Sequence, residues 1–221
     1  MSIGSVPLTD LAPLAVMLPV LGAAVTFMLV RRPRAQITVT VSALVLTLVL
    51  DALLLAAVWD TGVAAVHLGG WPAPLGISLV VDRLSALMLV VSALITLAVL
   101  LYASAQGLIN RDEGGPVSIF HPTFLILVAG VSNAFLAGDL FNLYVGFEIL
   151  LTSSYVLLTM GGTAQRIRAG ITYVVVSVLS SVVFLIAIAM IYAATGTVNM
   201  ADLAVKLGEL PTDVQLSLIH I

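Results

Sequence analysis

Long apolar runs cut by short polar punctuation dominate this chain, and a run of about 20 apolar residues crosses a bilayer as a helix. The first run covers about residues 11–30 and stops at "RRPR", residues 31–34; the second covers about 37–59 and the third about 79–102. The stretch from about 122 to 160 is too long for one span at about 1.5 Å per residue. It contains "AGDLFN", residues 137–142, where Gly138 can end one helix and Asp139 can cap the next. Two helices follow from that break, at about 122–136 and 140–159, and a sixth covers about 169–194. The pattern therefore predicts an all-α polytopic membrane protein with six transmembrane helices. A short interfacial helix is expected at about 200–207. Between the second and third runs, "VAAVHLGGWPAPLGISLVV" holds two β-prone pieces around a Gly- and Pro-rich centre, which predicts a small extramembrane β-hairpin.

Composition supports the bilayer reading. The chain is 61% hydrophobic and 9% charged, with a mean hydropathy of +1.22, whereas a soluble domain carries about 25% charged residues. The few charges cannot cover a solvated globule, and they form no basic surface for nucleic acid. The absence of cysteine excludes disulfides, thiolate metal sites and Cys nucleophiles. The first run lacks a basic start and a small-residue cleavage site, so it is expected to be retained. With the N-terminus outside, the inner loops carry Arg31, Arg32, Arg34, Arg111, Arg166 and Arg168, and the outer side carries only Arg83 and Lys206. The positive-inside rule favours that orientation.

Candidate chemistry centres on Glu148, near the middle of the fifth predicted helix. Tyr144, Thr152 and Tyr155 fall on the same helical stripe. Burial in hydrocarbon favours the neutral acid and a neighbouring cation favours the carboxylate, so such a group suits the loading and release of a proton; the plainer reading is a glutamic acid that hydrogen-bonds two helices together. No lysine falls in any of the six runs, Lys206 being the only one in the chain. Asp51, in the second run, is either a further proton-path residue or a headgroup-level residue near Trp59. Asp82 and Arg83 open the third helix, as a cap with an interfacial arginine or as a structural ion pair. Asp139 reads as a cap, and Asn133 and Asn142 as pins of the tight turn. Ser177, Ser180 and Ser181 form a small polar stripe on the sixth helix, for close packing or for a water wire beside Glu148. His67 reads as a surface residue and His121 as an interfacial anchor; the three scattered histidines make no metal site. No phosphate-binding Gly loop, Ser–His–Asp arrangement or dinucleotide fingerprint is present, so neither a catalytic residue nor a cofactor is expected.

"VAGVSNAFLAGDLFNLYVGFEILLTSSYVLLTMGGT", residues 128–163, resembles the core of the D-type membrane subunits of multisubunit Na+/H+ (Mrp-type) antiporters. "LGGWPAPLGISLVVDRLSALM", 68–88, is similar to that family's hairpin and third helix, and "YAATGTVNMADLAVKL", 192–207, to its link after the sixth helix. The resemblance reaches to about Leu210 and extends to the proton-pumping membrane subunits of respiratory complex I. It implies the first part of a fourteen-helix antiporter-like fold, hetero-oligomeric partner subunits, and transport of protons against Na+ or K+. It matches Glu148 to the family's proton-path glutamate, whose partner lysine belongs to a seventh helix expected beyond Leu210. Asp51 matches no motif of the family. The alternative it leaves open is a membrane subunit of a complex I-like oxidoreductase or membrane-bound hydrogenase. "LSLIHI", residues 216–221, does not resemble the family and reads as the translation of a sequencing adapter, so the native part is expected to be an N-terminal fragment over residues 1–215 in which His220 carries no function.

Overall fold

The computed structural model describes residues 7–71, 76–106 and 119–219. Pro72 and Pro74 of the predicted hairpin turn, Arg111 and His220 lie outside the described residues. After a 3-10 turn at Leu8–Leu11, the helices are α1 (Ala12–Met28), α2 (Pro33–Thr61), α3 (Arg83–Ala105), α4 (Phe120–Leu136), α5 (Leu140–Thr159) and α6 (Ala164–Thr195). Two short helices follow, α7 (Met200–Glu209) and α8 (Thr212–Ile219). The strands β1 (Ala64–His67) and β2 (Ser78–Val81) pair antiparallel, with Ala64 opposite Val81 and His67 opposite Ser78.

Five described helices are long and apolar enough to cross a membrane, the first counted with its leading turn as Leu8–Met28; α4, at 17 residues, is the shorter apolar one. Its reach is about 26 Å at about 1.5 Å per residue, against a hydrocarbon core of about 30 Å. It is also the centrally packed helix, lying against α1 and α5 with Leu125, Val128, Ala129 and Leu136 all buried. The third helix begins at Arg83 rather than near residue 79, because Ser78–Val81 is drawn into β2. Asp82 then closes a capping box with Ser85, each side chain bonded to the other's backbone N–H.

Among the described residues the core is two apolar clusters. One gathers Ala12, Ala15, Leu54, Val58, Leu79, Leu89 and Leu136, and the other Ala23, Leu44, Leu100, Phe124 and Leu125. In contrast, α6 packs on α5 but keeps Ile171, Val175, Leu179, Val183 and Ile186 exposed. That face is a surface for lipid or for further protein.

The break between α4 and α5 is a short extended segment held on both sides. Gly138 N–H donates to Ser78 O at 2.8 Å, Leu140 N–H to Val198 O at 2.9 Å, and Met200 N–H to Gly138 O at 3.0 Å. Ala137 bridges Leu79, and Asp139 bridges Asn199. Gly138 is required here because a Cβ would lie 2.8 Å from Ser78 O. Asp139 caps α5 by accepting from Asn142 N–H at 2.7 Å, and its other oxygen lies 3.4 Å from Ser78 N. Asn133 Nδ2 reaches across to Asn142 O at 3.1 Å. Asp139→Ala is expected to cost about 1 kcal/mol for the lost cap, read as a lower unfolding temperature of the detergent-solubilised protein; Asp139→Asn, which can still cap, should recover most of it.

Candidate functional site

Glu148 is the ninth residue of the 20-residue helix α5. It is half-buried and faces α6, where the Ser181 hydroxyl donates to Glu148 Oε1. Ser181 Oγ also lies 3.3 Å from the Tyr144 hydroxyl. Tyr144 sits one turn before Glu148, so helical spacing on α5 and one serine on α6 assemble a three-member polar cluster. The cluster opens on a cavity of about 430 Å³, lined also by Phe147, Leu151, Val176, Ser177, Ser180 and Phe184. The Phe184 ring meets those of Tyr144 and Phe147 edge-on, at 6.0 and 6.2 Å between centroids. The cavity wall thus combines aromatic and aliphatic side chains with the hydroxyls of Tyr144, Ser177, Ser180 and Ser181.

The remaining stripe residues do not join it. Thr152 is exposed. Tyr155 packs its ring edge-on against Tyr173 at 5.4 Å, and Tyr173 OH lies 3.2 Å from Ser154 Oγ. Ser177 and Ser180 line the cavity, but Ser180 gives its hydroxyl hydrogen to Val176 O. Arg83 donates to Trp59 O at 3.1 Å and lies over the Trp59 ring at 5.3 Å, while Asp82 serves the α3 cap. Lys206 pairs with Asp202 on α7 at 3.0 Å. That ammonium and the Thr197 hydroxyl hold the Asp202 carboxyl below the usual carboxylate range.

Asp51, for which the chain leaves open a place on a proton path or at headgroup level near Trp59, is not turned out of the bundle. It is 1% exposed and lies in the interior face of α2. It also belongs to a different helix pair from Glu148: α2 packs on α1, α3 and α4, whereas α5, which carries Glu148, packs on α4 and α6. His121 is likewise no interfacial anchor, being 2% exposed, with Nδ1 3.1 Å from Thr40 Oγ1. Thr40 in turn donates to Gln36 O, and Gln36 Nε2 donates to Thr26 O at 2.9 Å. His67 is bonded to Ser78 Oγ at 3.0 Å across the hairpin. Sequence reasoning missed the buried row Gln36, Thr40, Thr47 and Asp51. Its spacings of four, seven and four residues are those of one helical face, and a search for polar residues at that period would have found it.

Similarity to known proteins extends over nearly the whole chain. Residues 137–221 match the family described as "NADH:quinone oxidoreductase/Mrp antiporter, TM". Over 214 residues the chain is 35% identical to the D-type subunit of the Na(+)/H(+) antiporter of Alkalihalophilus pseudofirmus, covering 97% of this chain and 43% of that protein. Among solved structures, it superposes on a chain of the Mrp complex from Dietzia sp. with a TM-score of 0.80 at 29% identity, covering 97% of this chain and 41% of that one. It superposes on a chain of the membrane-bound sulfane sulfur reductase, an archaeal respiratory membrane complex, with a TM-score of 0.83 at 28% identity, covering 95% and 42%. The chain thus spans about two fifths of the length of these relatives. It belongs to the antiporter-like membrane family that the D-type subunits of Na(+)/H(+) antiporters share with NADH:quinone oxidoreductase.

Proposed function

We propose that this chain forms part of a membrane subunit of a multisubunit monovalent cation/proton antiporter, N-terminus outside, in which Glu148 loads and releases the transported proton. The observation that carries the reading is the Glu148–Ser181–Tyr144 cluster at mid-helix, beside a cavity of about 430 Å³. Intramembrane carboxylates are costly, and those that persist serve ion or proton pathways by default. In this reading the cavity brings water or a neighbouring cationic side chain to the carboxyl. The exposed face of α6 is where further helices of the subunit pack, and Ser181 holds Glu148 in place between proton transfers. The test is proton movement measured with an internal pH dye in vesicles carrying the assembled complex. Unchanged cation-driven exchange after neutralising Glu148 overturns the reading. Similarity to the sulfane sulfur reductase chain supports a second reading, a proton-translocating subunit of a redox-driven complex. The two separate on whether the complex purified through this subunit contains redox-cofactor subunits.

A further inference from the structure

We propose that Asp51 is a second proton-binding site of this chain, separate from Glu148 and built into the buried polar row of α2. Its side chain is 1% exposed, and among the described residues neither carboxyl oxygen has a hydrogen-bond partner. An ionised carboxylate so placed would carry its full desolvation cost with nothing to offset it.

The neighbouring hydroxyls on the same row show how a neutral acid fits. Thr40 donates to Gln36 O at 2.8 Å and Thr47 donates to Ala43 O at 2.9 Å, each to the carbonyl one turn back. A carbonyl oxygen has two lone pairs, one of which the helix leaves free. A carboxylic acid at position 51 can donate to the Thr47 carbonyl in the same way. A carboxylate has no proton with which to do so, and the backbone N–H groups around it are spent within α2.

Among the described residues no nearby charge takes the proton's place. The titratable groups of α2 and of the elements packed on it are Asp10, Arg34, Asp60, Arg83, Tyr102 and His121, and α1 carries none. Asp10, Arg34, Asp60 and Tyr102 are exposed. Arg83 is held at Trp59, about 12 Å farther along α2 at about 1.5 Å per residue. His121 is held at Thr40, about 16 Å in the other direction by the same rise. A metal cation fits poorly, because a dehydrated hard cation needs a shell of several oxygens. Within two turns of Asp51 the buried face of α2 offers Leu44, Leu50, Leu54 and Val58, with Thr47 as its one hydroxyl. The row is also not a continuous wire, since Ala43 and Leu44 fill the buried face between Thr40 and Thr47. Asp51 therefore holds a proton, and a water-lined conformation of α1–α3 is required for it to exchange.

The test is infrared difference spectroscopy on the complete subunit in its membrane complex, following the protonated-carboxyl band at neutral pH in the parent, Asp51→Asn and Glu148→Gln forms. A band that is lost in Asp51→Asn, retained in Glu148→Gln and unchanged when Na+ replaces K+ is the expected result. Retention in Glu148→Gln is what separates this site from the proposed function, which can fail without affecting it. The thermal stability of Asp51→Asn, which copies the shape and neutrality of the acid, is expected to be unchanged. Absence of any band lost in Asp51→Asn overturns the proposal, as does a band that disappears on adding Na+. Failure of Asp51→Asn to assemble, while Asp51→Glu assembles, overturns it too, because the site would then need the charge.

Discussion

In vesicles carrying the assembled complex, Glu148→Gln is expected to reduce cation-driven proton movement to the level of vesicles without protein. Glutamine keeps the length and shape of glutamate, and its amide oxygen still accepts from the Ser181 hydroxyl that now reaches Glu148 Oε1. Packing against Phe147 and Phe184 is untouched, so the complex should assemble at parent levels. What is lost is the ability to carry a proton. Two milder changes should grade the effect. Glu148→Asp draws the carboxyl back by about 1.5 Å and out of reach of Ser181. Ser181→Ala leaves the carboxyl but removes its donor; a hydrogen bond to a charged group is worth about 1.5–3 kcal/mol, so a loss of about tenfold or more in rate is expected for each. Parent-level exchange in Glu148→Gln would assign the carboxyl to helix packing alone.

The largest effect on stability is expected where α4 meets α5. A Cβ at Gly130 would lie 2.9 Å from Leu150 N and 3.1 Å from Gly146 O, and one at Gly146 would lie 3.1 Å from Ala134 N. These neighbours are backbone atoms, which cannot swing aside as a side chain can. Gly130→Val and Gly146→Val must therefore push the helices apart, and overpacking of this kind costs about 1–3 kcal/mol or more. The separation would also pull Asn133 from Asn142, which it reaches at 3.1 Å. Loss of the folded species on size-exclusion chromatography, with early thermal aggregation, is the expected readout. Gly208→Ala is the control: nothing lies within 4 Å of its Cβ, and alanine favours a helix interior by about 1 kcal/mol over glycine. Equal behaviour of all three variants would show that the close crossing does not hold the bundle.

Much of this structure is legible in the chain, because a membrane helix needs only length and apolarity, and its ends declare themselves through caps. The Gly138–Asp139 break, the hairpin and α7 all rest on local chemistry of that kind. The third helix starts four residues later than its apolar run because Leu79, Val80 and Val81 suit a strand as well as a helix, and only pairing with β1 decides between them. The stripe through Glu148 is half legible for a different reason. Spacing places Tyr144, Glu148, Thr152 and Tyr155 on one side of α5, but two crossing helices touch over only a few turns. Ser181 meets the first two, Thr152 emerges from the contact, and Tyr155 finds Tyr173 instead. Position along a span is all that the chain gives for Asp51 and His121, whereas their surroundings depend on which face of the helix turns inward.

The extended segment between α4 and α5 sets how this bundle can move. Its backbone is stitched to β2 on one side and to residues 198–200 on the other, so the start of α3, the α4–α5 junction and the end of α6 share one seam at one rim. A book bound along its spine opens at the fore-edge, and helices fastened at one rim have their freedom at the other. Tilting of α6 against α5 pivots near this binding and grows with distance from it, so a small angle at the seam becomes a wider gap at the level of Glu148. Since the stitches are peptide groups, side-chain exchange along the seam other than at Gly138 leaves the pivot in place, and proline at position 138, 140 or 200 is a substitution that cuts it.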